Sequence, residues 1–395
     1  MSLFDFFRRP PTPRKYAQLL MKKLAIYYPD EPVRFDEEGF RLLVGTDGSQ
    51  VVNLHNLYAE YCAADKHERV LQLDRTLAIM RPPGLPASFA EARTRLMPVL
   101  RGRGMMEYLR LMELGASAGS LAFPFSSDTA LMLVHDGDDM MQSFGPGQLA
   151  TWGVSADEAL AAAMDTLRDA TVERFTQPEP GLYMGGWGDA YDSSRLLLPD
   201  LAHRVAGANP LAMVPARGAL LLASGNDQDA VRAMVALAQR IADSEPRPVS
   251  ALMYRYQDGR PVEHLPDDEV ARSGLLRLMR QYLYGDYAAQ KETLDELHEK
   301  NGTDIFVASY KVMREEATGE EYSMCVWTEG VDTLLPRTDR VVLGLSLESE
   351  TPEHRMVAWD LLQARCGHLM QRVPDAWPER YRVTAFPERE LFASL

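Results

Sequence analysis

The sequence has few cysteines and no long apolar run. Its three cysteines, Cys62, Cys325 and Cys366, lie far apart in 395 residues and form no C-x-x-C pair. This spacing supports neither a disulfide framework nor a structural zinc site, and it predicts a reducing, cytoplasmic location. No stretch approaches the roughly 18 apolar residues that a membrane-spanning helix needs. Stable membrane insertion is therefore not expected.

Positive charge is also scarce. The chain carries 42 lysines and arginines against 57 aspartates and glutamates, which gives a net charge of −15. Nucleic acids and anionic lipids bind to positive surfaces, so the charge argues against both as general partners. With 46% hydrophobic and 25% charged residues, the composition is that of a folded globular protein.

Motifs for catalysis and for metal binding are missing or misplaced. The eight histidines are scattered without an H-E-x-x-H pair, and no metal, cofactor or catalytic residue is predicted. Gly115–Gly119 reads G-x-S-x-G, but a helix precedes it and a strand follows, the reverse of a nucleophile elbow, so it predicts a flexible linker. His135–Asp139 gathers three carboxylates, and the flanking strands favour an exposed hairpin tip over a cation site.

The periodicity of apolar residues predicts an α+β fold with mixed or antiparallel sheets and packed helices. An α-β-β-β-α unit is expected at each end of the chain, followed by one more strand at the C-terminus. Asn53 is expected to cap the helix that follows it. Residues 82–104 are expected to be a connector and residues 353–371 a helix. The predicted domains are 1–104, 105–262 and 263–395.

The stretch Gly181–Asp200 combines three clustered glycines with acids, serines and one arginine, and it predicts a loop that can contact a ligand. Arg195 lies near the start of a short helix, where anions are favoured, and Arg217 can join it. The alternative is that Arg195 pairs with Asp189, Asp192 or Asp200 and fixes the loop. The candidate ligand-binding residues are Trp187, Asp189, Tyr191, Asp192, Ser193, Ser194, Arg195 and Arg217.

A second candidate site is the locally basic segment 81–110. It holds six arginines against two glutamates in an otherwise acidic chain. Such a segment can bind an acidic partner, or its arginines can dock acidic domains of the same chain together. The candidate partner-binding residues are Arg93, Arg95, Arg101 and Arg103.

Several motifs in the middle of the chain resemble a known family. Trp152–Leu160, Asp165–Arg168, Tyr191–Pro199 and Val214–Arg217 are similar to segments of the YtpQ-like bacterial family, a domain of unknown function. Asn53–Tyr61 resembles the N-terminal part of that family, so the resemblance covers roughly residues 15–260. The family pattern near Arg217 tends toward Asn-Arg-Asp, whereas this chain has alanine and glycine beside the arginine. The resemblance implies no established activity, cofactor or catalytic residue.

Because no constellation for catalysis passes these tests, the sequence favours a non-catalytic protein that binds a protein or peptide, as an adaptor or chaperone-like module. One alternative is an enzyme or sensor that binds a small anionic ligand at Gly185–Arg195. Another is an acidic inhibitor or decoy of a basic partner. The sequence does not identify the ligand, the partner, the oligomeric state or the physiological process.

Overall fold

A computed structural model describes residues 11–24, 32–44, 50–79, 85–112, 121–137, 141–245, 247–345 and 353–394. The chain forms two compact units. The first comprises Met1–Met97, Leu114–Leu121 and Leu133–Thr166, and the second comprises Pro98–Glu113, Ala122–Met132 and Leu167–Leu395. The G-x-S-x-G segment and the tip of the predicted hairpin, residues 138–140, lie outside the described residues.

The N-terminal part of the first unit has the expected α-β-β-β-α order. Three strands form an antiparallel meander, and Tyr16, Leu20, Leu42 and Tyr61 form its core with residues of the flanking helices. The predicted cap at Asn53 is wrong, because Leu54 occupies the capping position and makes no side-chain cap bond. The elements are α1 (Pro13–Leu24), β1 (Val33–Asp36), β2 (Arg41–Val44), β3 (Gln50–Asn53), α2 (His55–Ala63) and α3 (Lys66–Ile79).

The segment predicted to be a connector contains a buried strand. Its residues Leu96–Arg101 are all buried, so apolar burial outweighs the turn-forming tendency of the surrounding prolines and glycines. The hairpin predicted around residue 137 is confirmed. Its two strands pair antiparallel, with Val134 opposite Ser143 and Asp136 opposite Met141. The elements are α4 (Phe89–Ala92), β4 (Leu96–Gly102), α5 (Arg103–Leu111), β5 (Ala122–Pro124), β6 (Thr129–Asp136), β7 (Met141–Ser143), α6 (Pro146–Trp152) and α7 (Ala156–Asp169).

A six-stranded antiparallel sheet forms the centre of the second unit. Its strands follow the order β13-β12-β10-β11-β9-β8. Apolar residues of the sheet, among them Leu211 and Met253, are buried against Met234 of α9. The elements are β8 (Phe175–Glu179), β9 (Leu182–Gly185), α8 (Pro199–Ala206), β10 (Pro210–Met213), β11 (Leu221–Ser224), α9 (Gln228–Ser244), β12 (Met253–Gln257) and β13 (Arg260–His264).

The C-terminal region begins with a 33-residue helix, α10, and continues with two four-stranded sheets. The predicted helix at 353–371 is wrong in its first six residues, which pair with all of β18 as an antiparallel strand. The elements are α10 (Glu269–Asn301), β14 (Phe306–Val307), β15 (Lys311–Arg314), β16 (Glu321–Thr328), β17 (Thr333–Pro336), β18 (Arg340–Leu345), β19 (Glu353–Ala358), α11 (Trp359–Cys366), β20 (Gln371–Arg372), β21 (Arg380–Val383) and α12 (Arg389–Ser394).

Helix α10 explains why the predicted boundary at residue 262 does not coincide with the two units. Leu275 and Leu278 belong to the same core as Met234 and Met253. Residues on the two sides of position 262 therefore pack in one core, and all of them lie in the second unit. No helix among the described residues is both long enough and apolar enough to cross a bilayer.

Candidate functional site

The side chain of Arg195 is fully buried and bound to residues of its own loop. Its Nη1 and Nη2 donate to the two carboxylate oxygens of Asp189 at 2.9 and 2.6 Å. Its Nε donates to the hydroxyl of Thr171 at 3.0 Å, and its guanidinium lies 4.2 Å from the ring centre of Trp187. The expected pairing of Arg195 with an acid of the loop is confirmed.

The neighbouring loop residues also make internal contacts. Asp192 is buried, and its carboxylate accepts hydrogen bonds from the backbone N–H groups of Trp187 and Gly188. Burial acts to raise the pKa of Asp189, but hydrogen bonds from Arg195 and from the Tyr191 backbone hold that pKa below its usual value. Tyr191, Ser193 and Ser194 are buried beside them. The loop is thus fixed by its own charges.

Arg217, the remaining candidate of this set, lies at a different place, in the wall of a cavity of about 270 Å³. All residues that line this cavity belong to the second unit. They come from the end of β4, from α5, from the turn before β6, from the loop between β10 and β11, from the segment before β12, from the middle of α10 and from a loop before β21. The lining residues are Gly102, Gly104, Met105, Tyr108, Ser127, Asp128, Arg217, Arg247, Pro248, Val249, Ala251, Leu252, Met279, Tyr282, Leu283, Asp286, Ala289 and Trp377.

Two glycines allow α5 to approach the other walls closely. A Cβ atom at Gly102 would lie 3.1 Å from the carbonyl oxygen of Val249, closer than packed atoms normally come. A Cβ at Gly104 would overlap the carboxylate of Asp286. The pattern Arg-Gly-Arg-Gly, which in sequence suggests a flexible link, therefore marks a close approach of backbone to neighbouring groups.

Two arginines of the cavity wall form no ion pair with a described residue. Among the described residues, neither Arg217 nor Arg247 lies within ion-pair distance of a carboxylate, and Nη2 of Arg217 instead donates to the sulfur of Met105 at 3.2 Å. Burial, together with repulsion from Arg247, lowers the pKa of Arg217. The same two effects, with Arg217 as the larger source of repulsion, lower the pKa of the buried Arg101 to about 10. The repulsion between Arg217 and Arg247, which both line the cavity, favours a bound anion.

Asp128 is an acid of the cavity wall whose bonds are satisfied by the protein. It accepts hydrogen bonds from the hydroxyls of Thr129 and Ser250 at 2.7 and 2.9 Å and from the backbone N–H of Ala251 at 2.9 Å. Burial nevertheless raises its pKa. Asp128 therefore joins the turn before β6 to the segment before β12, a structural role at the floor of the site.

Asp286 differs from Asp128, because no described residue donates a hydrogen bond to it. It lies in the middle of α10 and faces the cavity. Burial and the repulsion from Asp128 raise its pKa to about 7. A carboxyl group with this pKa changes its charge near neutral pH, as groups at functional sites often do.

Aromatic rings complete the wall around Asp286. Tyr108, Tyr282 and Trp377 line the cavity. The hydroxyl of Tyr282 donates to the carbonyl oxygen of Pro215 at 2.6 Å, which fixes its ring. Trp377 is covered on one face by the guanidinium of Arg103 at 4.5 Å. The cavity thus combines apolar and aromatic surface with a few charged groups, the usual make-up of a small-molecule site.

The four arginines of the predicted basic surface are not all exposed. Arg93 and Arg95 are exposed in the first unit, whereas Arg101 is buried and Arg103 covers Trp377 in the second. Arg101 is buried because it lies on the buried strand β4. The sequence instead predicts a connector at this position. Two of the four candidates therefore contribute to the surroundings of the cavity.

Sequence reasoning did not find Asp286, Asp128, Arg247 or Trp377. One signal for Asp286 was present: counting in helical steps from Leu275 through Met279 and Tyr282 reaches residue 286, so an acid lies on the apolar stripe of α10. The other three are brought to the cavity by contacts between distant parts of the chain. No local pattern marks them.

No family model, no curated protein and no solved structure matches this chain. The resemblance to the YtpQ-like family therefore stays a prediction. Among the described residues, no group of histidine, cysteine, aspartate or glutamate side chains is placed to hold a metal ion.

Proposed function

We propose that the protein binds a small anionic molecule in the cavity of its second unit. The observation that carries the proposal is that Arg217 and Arg247 line one cavity and that neither has a carboxylate within ion-pair distance among the described residues. Keeping like charges together costs free energy, and a bound anion offsets that cost. The proposal takes up the alternative of an anionic ligand but moves the site away from the Arg195 loop, where Asp189 already binds the guanidinium.

The size and lining of the cavity suggest the kind of anion. A volume of about 270 Å³ is near the lower end for ligand pockets. Met279, Leu283 and Leu252 supply apolar contacts next to the arginines. A small carboxylate or phosphate with an apolar body suits this surface better than a nucleotide. The role proposed is therefore reversible binding, as in a sensor for a small metabolite.

One observation bears on the protein- or peptide-binding role favoured by the sequence. Strand β15 is an edge strand, and its Val312 and Met313 are exposed. An added strand could pair there. However, Lys311 and Arg314 flank these residues, and charged residues on an edge strand oppose such pairing. The cavity is therefore the stronger candidate.

The test is a double variant, Arg217→Met with Arg247→Met, compared with Arg272→Met. Arg272 is exposed on α10 and lies outside the cavity, so it controls for the loss of positive charge. A ligand at about 100 times its Kd stabilises the native state by about 2.7 kcal/mol. The melting temperature of the native protein and of the control should rise with phosphate or short-chain carboxylates.

The double variant should remain folded, because it removes mutual repulsion, and its melting temperature should not respond to these anions. If no anion stabilises the native protein, or if the double variant responds as the native protein does, the proposed function is wrong.

A further inference from the structure

The cavity presents charges of both signs that do not meet each other. Arg217 and Arg247 have no acid within ion-pair distance, and Asp286 has neither a cation nor a hydrogen-bond donor among the described residues. Opposite charges on one cavity wall ordinarily form an ion pair with each other. In this cavity the arginines and Asp286 form no ion pair with each other, so each can bind a charged group of a ligand.

The position of Asp286 is fixed. It projects from the middle of a long helix against the first turn of α5, where Gly104 leaves room for its carboxylate. The second acid of the cavity, Asp128, is already bound by Ser250, Thr129 and Ala251. Asp286 is therefore the acid that remains open to a ligand. A cation beside Asp286 would offset the free-energy cost of burying its negative charge and of placing that charge near Asp128.

The surroundings of Asp286 suit an ammonium group. Tyr108, Tyr282 and Trp377 line the same cavity, and the faces of aromatic rings attract organic cations. Other lining residues, such as Met279 and Leu283, are apolar. An inorganic cation would gain little from these side chains, whereas an amine with an apolar body would contact all of them.

Resting on the proposed function, we infer that the ligand is a small zwitterion of the amino-acid type with an apolar side chain. Its anionic group lies at Arg217 and Arg247, and its ammonium group lies at Asp286 among the aromatic rings. Each charge of the ligand then meets a charge of the cavity wall that has no partner in the protein.

Matched probes test this inference by isothermal titration calorimetry. Leucine carries both charges. Isocaproate has the carbon skeleton of leucine but no ammonium group, and isoamylamine keeps the ammonium group but lacks the carboxylate. Phenylalanine, phenylpropionate and phenethylamine form an aromatic set, and aminocaproate with caproate tests a longer separation of the charges. In at least one set, the native protein should bind the zwitterion about tenfold or more tightly than the matched carboxylate.

The variant Asp286→Asn should remove this preference and leave carboxylate binding unchanged or improved. Glu296→Gln, an exposed position on the same helix, is the matched control and should keep the preference. The charged and titratable groups around Asp286 are Asp128, Tyr108, Tyr282, Arg217 and Arg247. Because the ammonium group favours ionised Asp286, binding of the zwitterion at about pH 6 should release protons.

The outcomes separate this inference from the proposed function. If matched carboxylates bind as tightly as the zwitterions, or if Asp286→Asn keeps the preference, the inference is wrong and the anion site stands. In that case the role of Asp286 is to pack against Gly104 in the first turn of α5. If neither carboxylates nor zwitterions bind, both statements are wrong.

Discussion

The carboxylate of Asp286 occupies the space that a side chain at residue 104 would fill. Gly104→Ala should therefore force α5 away from α10 or displace Asp286, and overpacking of this kind costs about 1–3 kcal/mol. Gly285→Ala is the control, because Gly285 is the residue before Asp286 and a Cβ there meets nothing within 4 Å. That change should instead stabilise the helix by about 0.5–1 kcal/mol. Urea denaturation of the two variants measures both effects, and equal stabilities would contradict the close approach.

Asp286→Asn should make the protein more stable above neutral pH. The pKa of Asp286 is raised from 3.8 to about 7 in the folded protein. Between these values the unfolded chain has lost the proton and the folded chain still holds it, so stability falls as pH rises. Three pKa units correspond to at most about 4 kcal/mol. The variant should be more stable than the native protein at about pH 8 and equal to it below about pH 4. A native stability that does not fall between these limits, relative to the variant, would contradict the raised pKa.

The ion pair in the glycine-rich loop should be worth far more than an exposed pair of the same unit. Asp189→Ala leaves the fully buried guanidinium of Arg195 without its carboxylate, which costs about 3–5 kcal/mol. Glu173→Ala removes the partner of Arg204 in a pair whose two side chains are more than half exposed, and the cost there is under about 1 kcal/mol. Chemical denaturation compares the two. Similar small losses would show that the loop does not depend on Arg195.

Arg101→Glu should lower stability strongly, whereas Arg93→Glu should not. Arg101 is 8% exposed, and a glutamate there would bring a shorter, strongly hydrated carboxylate into a buried place. The expected loss is about 3 kcal/mol or more. Arg93 is exposed, and its replacement should change stability by about 0.5 kcal/mol or less. If Arg101→Glu keeps the native melting temperature, the side chain lies at the surface and the basic segment again becomes a candidate docking surface.

The fragment from about residue 265 to the end should not fold by itself. It would contain Leu275 and Leu278 without Met234 and Met253, the residues that cover them. Exposure of several such side chains costs roughly 1.5–3 kcal/mol each. Circular dichroism of the isolated fragment is the measurement. A cooperative thermal transition for the fragment would support the domain boundary that the sequence predicted near residue 262.

Local patterns were sufficient for the class of fold and for many of its elements. The helix at 269–301 follows from the spacing of Leu275, Leu278 and Tyr282, and the hairpin near residue 137 follows from its turn residues. Strand β19 could not be found in this way, because its pairing with β18 decides its conformation. Tertiary pairing of this kind overrides local preference.

The candidate site was predictable in chemistry but not in place. The sequence offers two hypotheses for Arg195: an anion site shared with Arg217, or an ion pair with an acid of its own loop. In the structure Arg195 pairs with Asp189, whereas Arg217 lines the cavity and has no carboxylate within ion-pair distance among the described residues. Local sequence cannot show which of two arginines meets an acid, because Asp189 is six residues from Arg195 while Arg247 reaches Arg217 through the fold.

Helix α10 has a further consequence because it contacts two separate parts of the second unit. At about 1.5 Å per residue, its 33 residues extend roughly 50 Å. Leu275 and Leu278 are packed under the six-stranded sheet, while the hydroxyl of Tyr287 donates to the Glu379 carbonyl oxygen and accepts from the backbone N–H of Arg337. The cavity residues Met279, Tyr282, Leu283 and Asp286 lie on the helix between these two contacts.

Because these residues lie on one continuous helix, a shift of the turns between Leu278 and Tyr287 would disturb at least one of the two contacts. We therefore expect occupancy of the cavity to be thermodynamically coupled to the packing of the C-terminal sheet next to Tyr287. A substitution far from the cavity, on the sheet that receives Tyr287, should change the affinity for the ligand, and the ligand should in turn slow amide hydrogen exchange in that sheet.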